Sequence, residues 1–488
     1  MSDAEREKKI IGSVGKQLYI GGRWVEPAAG KTFPVEDPST GEALCEVADG
    51  GPDDAVKALD AACAVQDEWA ATAPRERGEV LRRAFDLLAQ RADDLALLMT
   101  LEMGKSLAES KAEVIYAAEF FRWFSEEAVR IDGGYTVAAN GSGRTLVMRQ
   151  PVGPSILITP WNFPLAMGTR KVGPAIAAGC TIVMKPAGLT PLSMLALAQV
   201  LEEAGLPGGV FNVVTTNSSG STMAPVIADR RARKLSFTGS TPVGQKLMEQ
   251  AAGNVLRVSM ELGGNAPLIV FEDADIEHAV EQTAVAKMRN IGQSCVAANR
   301  IFVHESIAED FSSRLADRLG SMKVGRGTEE GTEVGPLIDE NQRSKVASLV
   351  DDATAKGAKA VRGGSKVQGP GYFFEPTVLT SIPEDADLLR DEIFGPVAPV
   401  ITFADEEDAV TKANDTEYGL VAYVFSENIR RALRVTERLE TGMVGLNRGM
   451  VSNPAAPFGG VKHSGVGREG GREGIQEFLE VKHVAVDL

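Results

Sequence analysis

Three short stretches hold residue types able to do chemistry at a carbonyl. Arg289-Asn290-Ile291-Gly292-Gln293-Ser294-Cys295 follows a helical pattern over 274–287 and ends in a thiol among glycine and small polar residues. Such a turn sets a cysteine beside backbone N–H groups that stabilise its thiolate and negative charge on a substrate. The plain alternative is a small buried hydrophobe, the usual state of a free cysteine. Glu261 closes an apolar run, 255–260, just before Gly263-Gly264, and Asn162 follows a strand-like run at 156–158 in the sequence Thr159-Pro160-Trp161-Asn162-Phe163. A thiol, a carboxylate and an amide donor cover nucleophile, general base and oxyanion stabiliser.

The elements that must position them alternate regularly. Strands at 155–159, 181–185, 211–214, 234–237 and 255–260 are separated by helical stretches at 163–178, 191–204, 221–229 and 243–252. Short apolar strands between helices predict βαβ units in a parallel, doubly wound sheet, whose ligands bind beyond the carboxyl ends of the strands. Asn162, Lys185, Ser240 and Glu261 fall at or just past such ends. A second alternation, from 266–271 to about 445, carries Cys295 and predicts a second α/β domain, with the pocket between the two. Upstream, 17–27 and 32–47 read as edge hairpins and 52–130 as mostly helix, while 133–151 and 480–486 are β-like segments outside both domains.

Composition limits the function classes. A chain of 488 residues is too long for one core. A formal charge of −16 opposes binding to nucleic acid or anionic membranes, and no apolar run approaches the roughly 20 residues a membrane helix needs. Cys45, Cys63, Cys180 and Cys295 form no C-x-x-C pair, and the four histidines share no ligand spacing, so neither a disulfide framework nor a bound metal is expected. The charged N-terminus, which contains acids, fits neither a secretory signal nor a transit peptide, and a cytoplasmic location is expected.

From about Tyr19 to the C-terminus the chain resembles the aldehyde dehydrogenase superfamily, whose signatures read like the three stretches above, in the same order. The resemblance implies an α/β fold: a Rossmann-type doubly wound cofactor domain (1–131 and 152–261), a second α/β catalytic domain (262–444), a β oligomerisation arm (132–151 and 470–488), and substrate-site and glycine-rich loops (445–469). It implies Cys295 as nucleophile, Glu261 as base and Asn162 as oxyanion donor, with Lys171 and Glu469 relaying the proton of the base. Cofactor contacts carried over residue by residue are Ile158, Thr159, Pro160, Trp161, Lys185, Ala187, Gly188, Gly239, Ser240, Val243, Leu262, Glu392 and Phe394. Gly239 and Ser240 belong to a strand–turn–helix stretch that aims N–H groups at a phosphate but lacks the G-x-G-x-x-G pattern; by itself it is equally an ordinary helix cap.

Two departures from the generic pattern are informative. Where members preferring NAD often place a ribose-binding glutamate, this chain has Gly188, near Lys185; a missing carboxylate and a nearby ammonium lean towards NADP over NAD. Arg170 and Arg289 stand where members acting on uncharged aldehydes tend to be bulky and apolar, and planar donors suit a carboxylate; taken alone, each is equally a surface-helix arginine. The stretch 447–460, with Ser452 and Phe458, resembles succinate-semialdehyde dehydrogenases, and Phe163 joins Arg170, Arg289, Ser452 and Phe458 as an expected substrate contact. The expected activity is oxidation of succinate semialdehyde or a close ω-oxo acid; a glutarate-semialdehyde or other aldehyde dehydrogenase and a non-catalytic relative are the alternatives. Ala297 stands two residues after the nucleophile, so no redox disulfide is expected there. A homodimer or homotetramer is expected from the β-like edges.

Overall fold

The computed structural model describes residues 2–487. Two sheets dominate it. In the first, five parallel strands run in the order Phe211–Val213, Ile182–Lys185, Ser155–Ile158, Lys234–Thr238, Arg257–Glu261. The hairpin Leu18–Ile20/Arg23–Val25 closes one edge and Gly465–Val466 the other, both antiparallel. Central strands such as Ser155–Ile158 are buried on both faces, which is why they read as continuous apolar runs rather than alternating ones. The strand order moves outward both ways from Ser155–Ile158, so a crevice opens above the strand that leads to Asn162.

The second sheet has seven strands, Lys359–Arg362, Thr377–Thr380, Val397–Phe403, Arg300–His304, Pro267–Val270, Val421–Phe425 and Met443–Leu446, in that spatial order. All neighbours are parallel except the first pair. A third, antiparallel sheet pairs Leu479–Val486 with Arg144–Pro151 and the latter with Gly134–Val137. The two β-like segments expected to present unpaired edges therefore satisfy each other within one chain, leaving only the outer edges of Leu479–Val486 and Gly134–Val137 free among the described residues.

Three elements differ from expectation. Residues read as a charged tail form helix Asp3–Ser13, started by a reciprocal capping box between Ser2 and Glu5. The glycine-rich 445–469 stretch is not only loop, because Gly465–Val466 lies in register with Met260 and Glu261. Helix Ala166–Ala178, where Arg170 taken alone reads as a surface arginine, is buried at every residue. Its glycines make that possible: a Cβ on Gly168 would lie 2.1 Å from Met194 Cε, and one on Gly173 would lie 3.1 Å from the Phe124 ring.

Candidate active site

Asn162 sits in the turn between strand Ser155–Ile158 and helix Ala166–Ala178, 5% exposed. Its main-chain oxygen accepts from Lys105 Nζ at 2.8 Å and from Asn290 Nδ2 at 2.9 Å, and its own amide donates to Gln293 O at 3.0 Å. An amide has two N–H donors, so one remains for a substrate oxygen. Lys105 is also ion-paired to Glu113, whose other oxygen caps the helix by accepting from Leu165 N and Ala166 N, both at 3.1 Å. Lys105, Glu113, Asn290 and Gln293 are supports that sequence reasoning missed. Apart from the Lys105–Glu113 pair, their partners lie tens to more than a hundred residues away, and no local signal marks them.

The cysteine turn is built from strained backbone. Helix Ile276–Met288, capped by Asp275, gives way to Asn290, Ile291 and Gly292 with φ of 56°, 62° and 73°. The left-handed region is costly for a β-branched residue such as Ile291. Asn290 N–H is anchored on Glu109 at 2.6 Å, and a Cβ on Gly292 would lie 2.2 Å from Gly395 O. The turn delivers Cys295 half-buried into a small cleft shared with Tyr116, Phe163, Arg170, Arg289, Ser452 and Phe458. Burial pushes the thiol up to about 12, opposed by Arg170 and Arg289 and reinforced by Glu392 and Glu261. Among the described residues, the Cys295 N–H has no acceptor.

Glu261 ends its strand 3% exposed, with Oε2 unpaired among the described residues. A Cβ on Gly459 would lie 2.9 Å from Oε1, so the glycine makes room for the carboxyl. Burial first and Glu469 second raise it well above the ordinary range; Glu469, ion-paired to both Arg170 and Lys171, is held below it. The proton is therefore held more readily on Glu261 than on Glu469, and Lys171 also donates to Ser236 Oγ at 3.0 Å.

The two arginines part company here. Arg289 donates to Ser452 Oγ at 3.0 Å and lies over the Phe163 and Tyr116 rings at 4.9 and 5.9 Å, with no carboxylate partner among the described residues. Arg170 is 1% exposed, stacked 4.1 Å over Phe458, and already compensated by Glu469. Arg170 is therefore not a free guanidinium awaiting an anion. Nothing local in the sequence marks this pairing, because Glu469 lies almost 300 residues downstream. Beside the cleft, sharing Phe163 and Arg289 with it, opens a cavity of about 350 Å³.

On the other side, Trp161 and Phe394 meet edge to face at 5.4 Å. Lys185 is 6% exposed without an ion pair among the described residues, and burial lowers it to about 8. Ser240 starts helix Thr241–Ala252 without a side-chain capping bond, and among the described residues the buried hydroxyls of Thr159 and Thr238 lack partners. Gly239 has no room for a Cβ, which would lie 2.4 Å from the Phe237 ring. Ile158, Ala187 and Leu262 are buried, Pro160 is partly so, and Val243 is 49% exposed. Glu392 accepts from Gly264 N–H at 3.2 Å, and burial pushes it up to about 7. An unpaired ammonium, open N–H groups at a helix start and orphaned hydroxyls suit a phosphorylated dinucleotide. Among the described residues no group of three His, Cys, Asp or Glu is placed to hold a metal, and no helix is long and apolar enough to cross a membrane.

The model of the aldehyde dehydrogenase family matches residues 24–484. The chain is 57% identical to a succinate-semialdehyde dehydrogenase of Paenarthrobacter nicotinovorans, over 91% of this chain and 98% of that one. It is 47% identical to a glutarate-semialdehyde dehydrogenase of Pseudomonas putida, over 97% and 98%. The crystal structure of an NADP-dependent enzyme of Escherichia coli superposes with a TM-score of 0.96 at 46% identity, covering 100% of both chains. Likeness of this extent spans both sheets and the arm, and the chain belongs to the aldehyde dehydrogenase family of oxidoreductases.

Proposed function

We propose that this protein oxidises succinate semialdehyde to succinate with NADP+ in preference to NAD+. The observation carrying this reading is the Arg289–Ser452 pair in the cleft of Cys295: a guanidinium between two aromatic rings with a hydroxyl but no carboxylate partner among the described residues. Such a cation is poorly compensated until an anion arrives, and a planar donor with an adjacent hydroxyl suits a carboxylate. Lys185, ammonium-bearing and unpaired beside Gly188, supports the 2′-phosphate preference.

The Cys295 thiolate attacks the aldehyde carbon, and the oxyanion accepts from Asn162 Nδ2 and Cys295 N–H. Lys185, Ser240 and Glu392 would hold the cofactor, with Trp161 and Phe394 beside it, and the bound cofactor would supply the hydride acceptor. Loss of hydride leaves a thioester on Cys295. Glu261 then takes a proton from water, whose oxygen attacks the thioester carbon and releases acid and thiolate. Glu469, fixed by Lys171 and Arg170, passes that proton outward.

A second reading, glutarate semialdehyde, is favoured by the P. putida relative, and the 350 Å³ cavity next to Arg289 leaves room for a longer chain. We place the enzyme in the cytoplasm, in keeping with four free cysteines, and read it as a homodimer or dimer of dimers joined through the free edges of the arm. Steady-state kinetics over C3 to C6 ω-oxo acids with both cofactors test the reading. The expected optimum is the C4 acid with NADP+; a C5 optimum would replace the substrate.

A further inference from the structure

Lys287 is wholly buried, and among the described residues its Nζ has no hydrogen-bond partner. The other wholly buried lysines, Lys105, Lys171 and Lys234, each face a glutamate within ion-pair distance. A lone ammonium in the interior is costly, and replacing it by an apolar side chain would remove that cost. Its retention calls for a role.

The backbone around it places Lys287 next to the segment that carries Glu392. Ala298 N–H donates to Ala286 O at 3.1 Å, so the residue before Lys287 hangs on Ala298. The next residue, Asn299, accepts from Ile393 N at 3.0 Å and donates to Asp391 O at 3.0 Å, gripping Glu392 from both sides. A Cβ on Gly292 would lie 2.2 Å from Gly395 O and 3.2 Å from Lys287 O, so the segments touch without side chains between them. Glu392 itself is held from the protein side by one N–H, that of Gly264, which leaves most of its acceptor capacity open. Its other nearby cation, Lys345, is spent on the main-chain oxygen at 2.7 Å. Burial brings Lys287 down to about 7 and Glu392 up to about 7, each moderated by the other.

We propose that Lys287 is a positioning residue for the cofactor: its buried head group stands behind the Glu392 segment and supports Glu392 as an acceptor of hydrogen bonds from the nicotinamide ribose. This rests on the reading of Glu392 given above. Without the ammonium, Glu392 loses a cation that favours its charged form and becomes a weaker acceptor.

The test is a double-mutant cycle on the full-length protein with wild type, Lys287→Met, Glu392→Gln and the double variant. NADP+ binding is measured by calorimetry and thermal unfolding is measured without ligand. Lys287→Met should weaken NADP+ binding roughly tenfold while the melting temperature stays level or rises and the aldehyde KM is unchanged. In the Glu392→Gln background the same substitution should have no further effect on binding. Lowered melting with unchanged NADP+ affinity would make Lys287 a structural residue and overturn the proposal, as would a full loss that persists in the Glu392→Gln background. A Glu392→Gln protein that binds NADP+ like wild type would instead remove Glu392 from the cofactor site. Lys287→Gln, which keeps a polar head, gives the same comparison if the Met variant does not accumulate.

Discussion

On one wall of the cleft, helix Ala166–Ala178 carries Arg170 and Lys171 into the interior, where both meet Glu469. On the opposite wall, Arg289 stands at the end of helix Ile276–Met288 and meets a hydroxyl and two aromatic rings. The first wall pairs both its cations with Glu469 and is tightly packed; the second is strained, with three left-handed residues in a row and a cation left open. Buried charge that already has its partner supports chemistry nearby, whereas a half-buried charge without a carboxylate partner among the described residues selects what may bind. Two arginines at one cleft, alike in the sequence, thus have different work to do.

The largest effect tests the strained wall. Cys295→Ala should abolish aldehyde oxidation and any esterase action, by several orders of magnitude, with NADP+ binding intact in a calorimetric titration. Retained oxidation above about a hundredth of wild type would place the nucleophile elsewhere.

Breaking the complete wall should harm the whole molecule rather than one substrate. Arg170→Leu strands Glu469 with Lys171 alone in the interior, at a cost of about 3–5 kcal/mol in unfolding free energy, read by urea denaturation. Its turnover of succinate semialdehyde and butanal should fall together. A loss confined to the charged aldehyde would mean Arg170 grips the substrate despite Glu469.

The same wall sets a pH dependence. Glu261 is held above the ordinary carboxyl range and acts as base only when ionised, so thioester hydrolysis should speed up as pH rises through that raised value and then level off. In Glu261→Gln the first turnover should still yield a burst of reduced cofactor, followed by near-zero steady turnover at every pH. A variant without a burst would place Glu261 in activation of the thiol.

The smallest effect concerns the cofactor. Gly188→Glu should shift the ratio of kcat/KM values about tenfold from NADP+ towards NAD+ by repelling the 2′-phosphate. A Cβ there would lie 3.2 Å from Thr216 O, so a small backbone adjustment is needed. A wild type that already prefers NAD+ tenfold would contradict the reading of Gly188 and Lys185.

How much of this was legible follows the same division. The βαβ alternation through 155–260 and the strand ends at Asn162, Lys185 and Glu261 could be read because each depends on local pattern, apolar strands bounded by turns. The charge pairing on helix Ala166–Ala178 could be read only in part: the family resemblance set Lys171 and Glu469 near the base, but nothing local showed that Glu469 also pairs with Arg170, which was expected at the substrate. Helix Asp3–Ser13 was hidden for the converse reason: it buries no residue, so no apolar stripe marks it, and only the Ser2–Glu5 box does. Lys287 lay inside a helix pattern that gave no sign of which face the core covers.

The account's central claim is that Arg289 and Ser452 select a carboxylate. It is tested most directly by kcat/KM for succinate semialdehyde and butanal, side by side at fixed ionic strength, on wild type and Arg289→Leu. Losing one charge-assisted contact in a partly desolvated cleft should cost on the order of 1.5–3 kcal/mol, or roughly 10- to 150-fold, on succinate semialdehyde. Butanal, with no carboxylate to lose, should be used as well as before or better. Equal losses on both aldehydes, or a wild type that prefers butanal, would contradict the claim.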